Sequence, residues 1–262
     1  MFFNTLRAEF TKLLSVRSFW GNTVFYVLMT VGFGALSAFL FSAFSNEQGG
    51  PMLMDAKTVA QSMNMGGGLV LAIMSVIMVT NEYAQKYISV TFQAVPNRLI
   101  VALAKYVAMS IVAIVFSVLA FAIGVPIVRL IVGAELGPEL TLTHEKMLPY
   151  LWKTPIYAMM FILLAQGMAW LLRSATAVIV IILGWFMALE PMVLPLLPKW
   201  GQKVAPYGPF KNLSAFYYGE SIPEVPWDRL GSMACYGSLA YFAAWALVIY
   251  IAGIVLLLRR DA

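Results

Sequence analysis

The sequence predicts an all-α, polytopic membrane protein: an N-terminal amphipathic elbow helix, six membrane-spanning helices, and a short re-entrant or kinked segment before the last. Composition carries the first part of this reading. The 262-residue chain is 61% hydrophobic and 11% charged, where an ordinary soluble domain carries about 25% charge. Periodicity and run length carry the second, because the apolar stretches are sized for a hydrocarbon core about 30 Å thick. Charge placement carries the third. The net charge of +5 comes from Lys and Arg scattered at the ends of apolar runs, the pattern of membrane-side loops and not of a nucleic-acid-binding face.

Residues 1–18 form the amphipathic elbow. Phe2, Phe3, Leu6, Phe10, Leu13 and Leu14 fall within an arc of roughly 120° at helical periodicity. Asn4, Ala8, Glu9, Thr11, Lys12 and Ser15 take the other side. With Arg7, Lys12 and Arg17, this segment is expected to lie in the headgroup layer, in contact with membrane lipid.

The first span is expected over 19–44 and reads as a retained signal-anchor, too long for a cleavable leader. A polar loop follows, with Gly49-Gly50-Pro51 as its turn and Glu47, Asp55 and Lys57 as its charges. The second span is expected over 65–81. Its triple glycine, Gly66-Gly67-Gly68, either frays the helix start or admits another backbone.

Residues 82–105 interrupt the apolar pattern with charge. Within them Tyr87, Ile88, Thr91, Phe92 and Val95 recur at helical spacing, and Pro96 ends the helix because it has no N–H to donate. The third span, 106–128, follows, with Arg129 snorkelling at its far end. A second loop, from Gly133 to Pro155, holds Glu135, Glu139, His144, Glu145, Lys146 and Lys153. The fourth span, 156–172, meets the tight Arg173-Ser174 reversal.

The fifth span, 175–197, is interrupted by Glu190-Pro191. Its uninterrupted part covers only about 22 Å, so it is either kinked at Pro191 or continued by a re-entrant piece. Residues 198–232 form a polar, aromatic outer loop suited to an interfacial belt. The sixth span, 233–258, ends at Arg259-Arg260. Six spans put both termini on one side. Arg7, Lys12, Arg17, Lys86, Arg98, Lys105, Arg173, Arg259 and Arg260 crowd the four short segments on that side, which makes it the cytoplasmic side of the cell membrane.

Catalytic and metal signatures do not occur in the sequence. It has no Gly-x-x-x-x-Gly-Lys phosphate loop, no His-Glu-x-x-His and no Gly-x-Ser-x-Gly. Cys235 and His144, the single cysteine and histidine, leave nothing to build a disulfide or a metal cluster. The spans hold almost no ionisable groups, which disfavours an ion-coupled transporter. Two features remain as candidate sites. One is the 82–105 segment, placed for another protein to push against. The other is Glu190, which with Met74 and Met78 is the expected substrate path.

Two motifs then make a resemblance. The run Arg7-Ala8-Glu9-Phe10-Thr11-Lys12-Leu13, followed by Ser15-Val16-Arg17-Ser18-Phe19-Trp20, resembles the opening of permeases of the ABC type-two exporter family, especially actinobacterial ones. Glu82-Tyr83, Ile88, Thr91-Phe92, Pro96, Arg98 and Lys105 are similar to the family's loop between its second and third spans. Lys86-Tyr87 stands where that loop usually has Gly-Thr, so a different local turn is expected.

The resemblance implies a half-transporter. It would pair with a second permease, as homodimer or heterodimer, and with two copies of a separate ABC ATPase that bind ATP and Mg. The permease itself would then be no enzyme and would bind no cofactor or metal. The helix near Tyr83–Val95 would be the coupling helix, with Tyr87, Ile88, Thr91 and Phe92 touching the ATPase and Glu82 and Arg98 anchoring its ends. The substrate would be hydrophobic or amphipathic: a drug-like compound, a peptide or a lipid. Two other classes remain open, an ATP-independent membrane assembly or regulatory protein and a secondary transporter.

Overall fold

A computed structural model describes residues 1–45 and 53–259, and every regular element among them is helical. The Gly49-Gly50-Pro51 turn, Glu47 and Arg260 lie outside the described residues. The elements are α1 (Phe2–Ser15), α2 (Arg17–Ser45), α3 (Ala56–Ala84), α4 (Ile88–Ala94), α5 (Arg98–Val132), α6 (Leu148–Leu172), α7 (Ala175–Leu183), α8 (Leu194–Leu196), α9 (Lys199–Val204), α10 (Pro209–Tyr218) and α11 (Ala234–Arg259). Six helical stretches are long and apolar enough to cross a bilayer: Arg17–Phe44, Ala56–Ala84, Arg98–Val132, Leu148–Leu172, Ala175–Leu196 and Pro226–Arg259. This is the architecture of a multi-pass membrane protein.

The second, third and fourth spans begin well before hydropathy places them, and for the second and third the cause is a local cap. The second starts at Ala56 and not at Met65, because Asp55 caps it: its Oδ1 accepts from the Thr58 amide at 3.2 Å. The third starts at Arg98 and not at Tyr106, because Asn97 Oδ1 accepts from Leu99 N at 3.1 Å and Ile100 N at 3.4 Å. The fourth starts at Leu148, so Pro155 falls inside the helix and the loop before it is shorter. Hydropathy trims a helix at its first polar residues, whereas a cap extends it through them.

One compact unit comprises residues 10–74 and 108–159. Here the triple glycine lies well inside α3, and close approach is its use. A Cβ on Gly66 would stand 2.9 Å from the backbone carbon and oxygen of Met29, and one on Gly67 would stand 2.7 Å from Thr30 Oγ1. Small residues let α2 and α3 meet backbone to backbone, a common device where no hydrophobic driving force pulls helices together. In the segment before α6, Met54 N donates to Leu136 O at 2.8 Å and Ala56 N to Glu139 at 3.2 Å. Lys146 pairs with the same carboxylate and, by that hydrogen bond first of all, holds Glu139 below the usual glutamate range.

The other unit comprises residues 1–9, 75–107 and 160–262. Its α6 and α11 also touch through glycine: a Cβ on Gly253 would fall 2.6 Å from Gly167 O, and one on Gly167 would fall 2.7 Å from Tyr250 N. The fifth span is continuous from Ala175 to Leu196. Its middle, Gly184–Val193, is a π-helix that carries Pro191, and its last ring closes from Leu194 N to Leu189 O. Widening the helical ring absorbs the proline's missing donor. The stretch expected as an outer loop, 198–232, is largely helical. Within it α10 is buried at Phe210, Asn212, Leu213, Phe216 and Tyr217.

Candidate functional site

The densest polar constellation sits in the second unit, around Lys105. This lysine is 1% exposed. Its Nζ donates to Glu9 Oε2 at 2.6 Å and to Glu82 Oε1 at 2.8 Å. A buried ammonium needs carboxylates around it, since the cost of removing a charge from water is several kcal/mol. Two carboxylates from distant parts of the chain supply them. Glu9 was expected on the outward, polar side of α1, but it is 1% exposed. The docking face of α1 is set by Thr5 and Glu9, one helical turn apart and both buried. Phe3 and Leu14, from the expected apolar arc, are exposed, as are Arg7, Lys12 and Arg17, while Phe10 is half-buried.

Around this triad the helix ends are tied together. Gln166 Nε2 donates to the Lys105 carbonyl at 3.4 Å. Tyr250 Oη donates to Ala102 O at 3.0 Å. The Arg173 guanidinium lies over the Tyr83 ring at 4.9 Å, and Tyr83 meets Trp170 edge-on at 6.2 Å. Arg173 takes a left-handed φ of 54°, and Ser174 accepts from Ala177 N to start α7. The tight Arg173-Ser174 reversal is thus a helix stop and a helix cap in succession.

Between Glu82 and Lys105 stands α4, a helix of 7 residues. Arg98 fixes its far side: Nη1 donates to Leu257 O at 2.8 Å, and the guanidinium lies over Phe92 at 5.0 Å. An arginine on a carbonyl in the last turns of α11 suits the negative end of that helix. On the near side the chain turns through Lys86 with φ 59°. That left-handed conformation favours glycine, so lysine here holds a backbone that glycine would adopt without strain.

The surface of α4 differs from the expected one at one position. Ile88, expected as a partner contact, is 5% exposed and faces its own chain. Thr91 and Phe92 are half-buried. The exposed apolar side chains are Tyr87 at 60% and Val90 at 59%. Counting apolar residues at helical spacing finds the stripe but cannot say which edge of it the chain itself covers.

Glu190, expected on a substrate path, lies against the start of α10. Glu190 is 8% exposed, and its oxygens accept from Phe210 N at 3.1 Å and Lys211 N at 2.7 Å. The carboxylate therefore closes the first turn of α10. Asn212 assists, donating to Pro206 O at 3.0 Å and Gly208 O at 2.9 Å. Aromatic rings close over this point: Phe210 lies 5.2 Å from Phe161 and Phe186 and 5.8 Å from Trp185 and Phe242. Met74 is buried and Met78 half-buried. Among the described residues no group of His, Cys, Asp and Glu is placed to hold a metal.

No protein-family model matches this chain, and comparison with curated proteins finds no match. The class of protein is therefore set by the helices: a multi-pass, all-helical membrane protein.

Proposed function

We propose that the chain is the permease subunit of an ATP-binding-cassette exporter. In this reading both termini and α4 face the cytoplasm of the cell membrane, and α1 is the elbow in the headgroup layer. Two ATPase copies, each binding ATP and Mg, grip α4 from below, and a second permease completes the path. The stretch from α9 to α10 lies on the opposite side, at the outer surface. Closure of the ATPase pair moves the spans and drives a hydrophobic or amphipathic substrate outward. The chain itself performs no hydrolysis.

One observation carries the reading. The helix α4 is short, pinned at both ends, and still presents Tyr87 and Val90 outward. A helix of seven residues does not hold itself in water, so a chain that pins one at the ends of its spans while leaving apolar side chains exposed is built to be pushed. The burial of the first and fifth spans agrees: only 22% and 17% of their apolar windows are covered within the chain, leaving surface for lipid and a second permease.

The test is co-purification with an ATP-binding-cassette ATPase co-expressed with the chain. Tyr87→Asp with Val90→Asp, both at exposed positions, is expected to release the ATPase and stop ATP-dependent export while the permease stays folded. A Tyr87→Cys variant in a Cys235→Ala background is expected to react with an impermeant maleimide only after the membrane is opened. Retained ATPase binding in the double variant, or labelling of intact cells, would overturn the reading.

A further inference from the structure

Immediately after the fifth span, helix α9 separates its side chains by chemistry. Trp200 and Val204 recur one turn apart and are 60% and 48% exposed, and Leu196, which ends α8 just before the extended Leu197-Pro198 link, is 83% exposed. Lys199 and Lys203, also one turn apart and exposed, line a cleft of about 680 Å³ together with Gln202, Pro206, Tyr207 and Glu224. Among the described residues, neither lysine has an ion-pair partner. Apolar span residues end at Leu196, so α9 falls at the boundary between hydrocarbon and water.

We propose that this cleft holds the headgroup of a membrane phospholipid, with the phosphate between Lys199 and Lys203 and the acyl chains against Leu196, Trp200 and Val204. Charge complementarity selects the occupant. Two ammonium groups against the single carboxylate of Glu224 leave the cleft net positive, which suits a phosphate. The apolar stripe beside it suits acyl chain and not bulk water, and an indole at this level matches the interfacial preference of tryptophan. A free phosphate would use the lysines but not the stripe. Tyr207 holds the cleft wall, donating to Glu224 O at 3.3 Å and accepting at its own carbonyl from Tyr241 at 2.9 Å, so the far side is fixed before any lipid arrives.

Native mass spectrometry of the delipidated protein, titrated with phosphatidylglycerol or phosphatidylethanolamine, tests the proposal. One tightly held lipid is expected. Each lysine near a membrane surface contributes about a fivefold gain, so Lys199→Gln with Lys203→Gln is expected to weaken that lipid about thirtyfold. Trp200→Ala is expected to weaken it as well, with inorganic phosphate in excess leaving it bound. Both lysines are exposed, so circular dichroism of the double variant is expected to match the parent. Unchanged lipid retention in the double variant overturns the site. So does displacement by inorganic phosphate, which would make it a phosphate site. A Trp200→Asp variant that dissociates a dimer while keeping its lipid would assign the stripe to a second copy.

Discussion

Replacing Lys105 with methionine tests how much the structure depends on its buried charges. The substitution keeps length and volume but removes the ammonium that Glu9 and Glu82 meet at 2.6 and 2.8 Å. Glu9 has a side chain 2% exposed and Glu82 one 11% exposed, so water cannot replace the lost partner. Removing one member of a buried ion cluster costs about 3–5 kcal/mol, mostly from the charge left behind. At about 2–4 °C per kcal/mol for a chain of this size, thermal unfolding in detergent should fall by roughly 6–20 °C. Neutralising the carboxylates as well, in Lys105→Met with Glu9→Gln and Glu82→Gln, removes the uncompensated charge and should return the protein to within about 2 kcal/mol of the parent. Hydrogen exchange across residues 2–15 reads the same event locally: α1 should open in the single variant and close again in the triple. If Lys105→Met melts within about 1 kcal/mol of the parent, or if the triple variant is no better than the single, the triad is not what fixes α1.

Three other substitutions follow from single positions. Lys86→Gly should stabilise the turn before α4 by about 1 kcal/mol, because lysine holds a left-handed φ of 59° that glycine adopts without strain; a lower melting temperature would mean the lysine side chain matters more than the backbone. Gly253→Ala should lower stability by about 1–3 kcal/mol, since its new methyl would stand 2.6 Å from the Gly167 carbonyl and backbone cannot step aside; Gly21→Ala, with open space around it, is the matched control. Glu190→Ala should cost about 1–2 kcal/mol through the two amides it leaves at the start of α10, whereas Glu190→Gln keeps an acceptor and should retain most stability; a Gln variant that melts as low as the Ala variant would mean that the carboxylate charge, and not the acceptor, holds α10.

The apolar spans were legible because length and composition alone determine them. The α4 segment was legible because Pro96 and the spacing of Ile88, Thr91 and Val95 fix it locally. What escaped was long-range. Glu9 and Lys105 lie 96 positions apart, and nothing in helical periodicity joins an acid on one helix to a lysine on another. A signal was present nonetheless. Lys105 follows Leu99-Ile100-Val101-Ala102-Leu103-Ala104 and precedes an apolar run, so with Asn97 as the cap it lies inside a helix and must find an acid. The buried α10 was hidden for a different reason. Its Pro- and Gly-rich surroundings read as loop, and only the Glu190 and Asn212 hydrogen bonds make burial of that backbone tolerable.

The few ionisable groups of this chain cluster where helices end, and that placement explains the order of α4. Glu82 and Lys105 close the base of the segment, Arg98 ties it to the last turns of α11 through Leu257 O, and Ile88 is buried beneath it. Each tie joins a different helix: α3 to α5, α5 to α11, and α1 to α5 through Glu9. A push on α4 therefore reaches α1, α3, α5 and α11 through short, charged or charge-assisted contacts and not through compressible apolar packing. Such contacts hold a position or break; they do not stretch far, since a hydrogen bond weakens steeply once its geometry is lost. Conversely, a chain in which Arg98→Ala frees α4 from α11 should keep its six spans yet lose the link between a force at α4 and movement of the last span. Site-directed spin labels on α4 and on the exposed Val248 would show that uncoupling as independent motion, and concerted motion in the variant would place the link elsewhere.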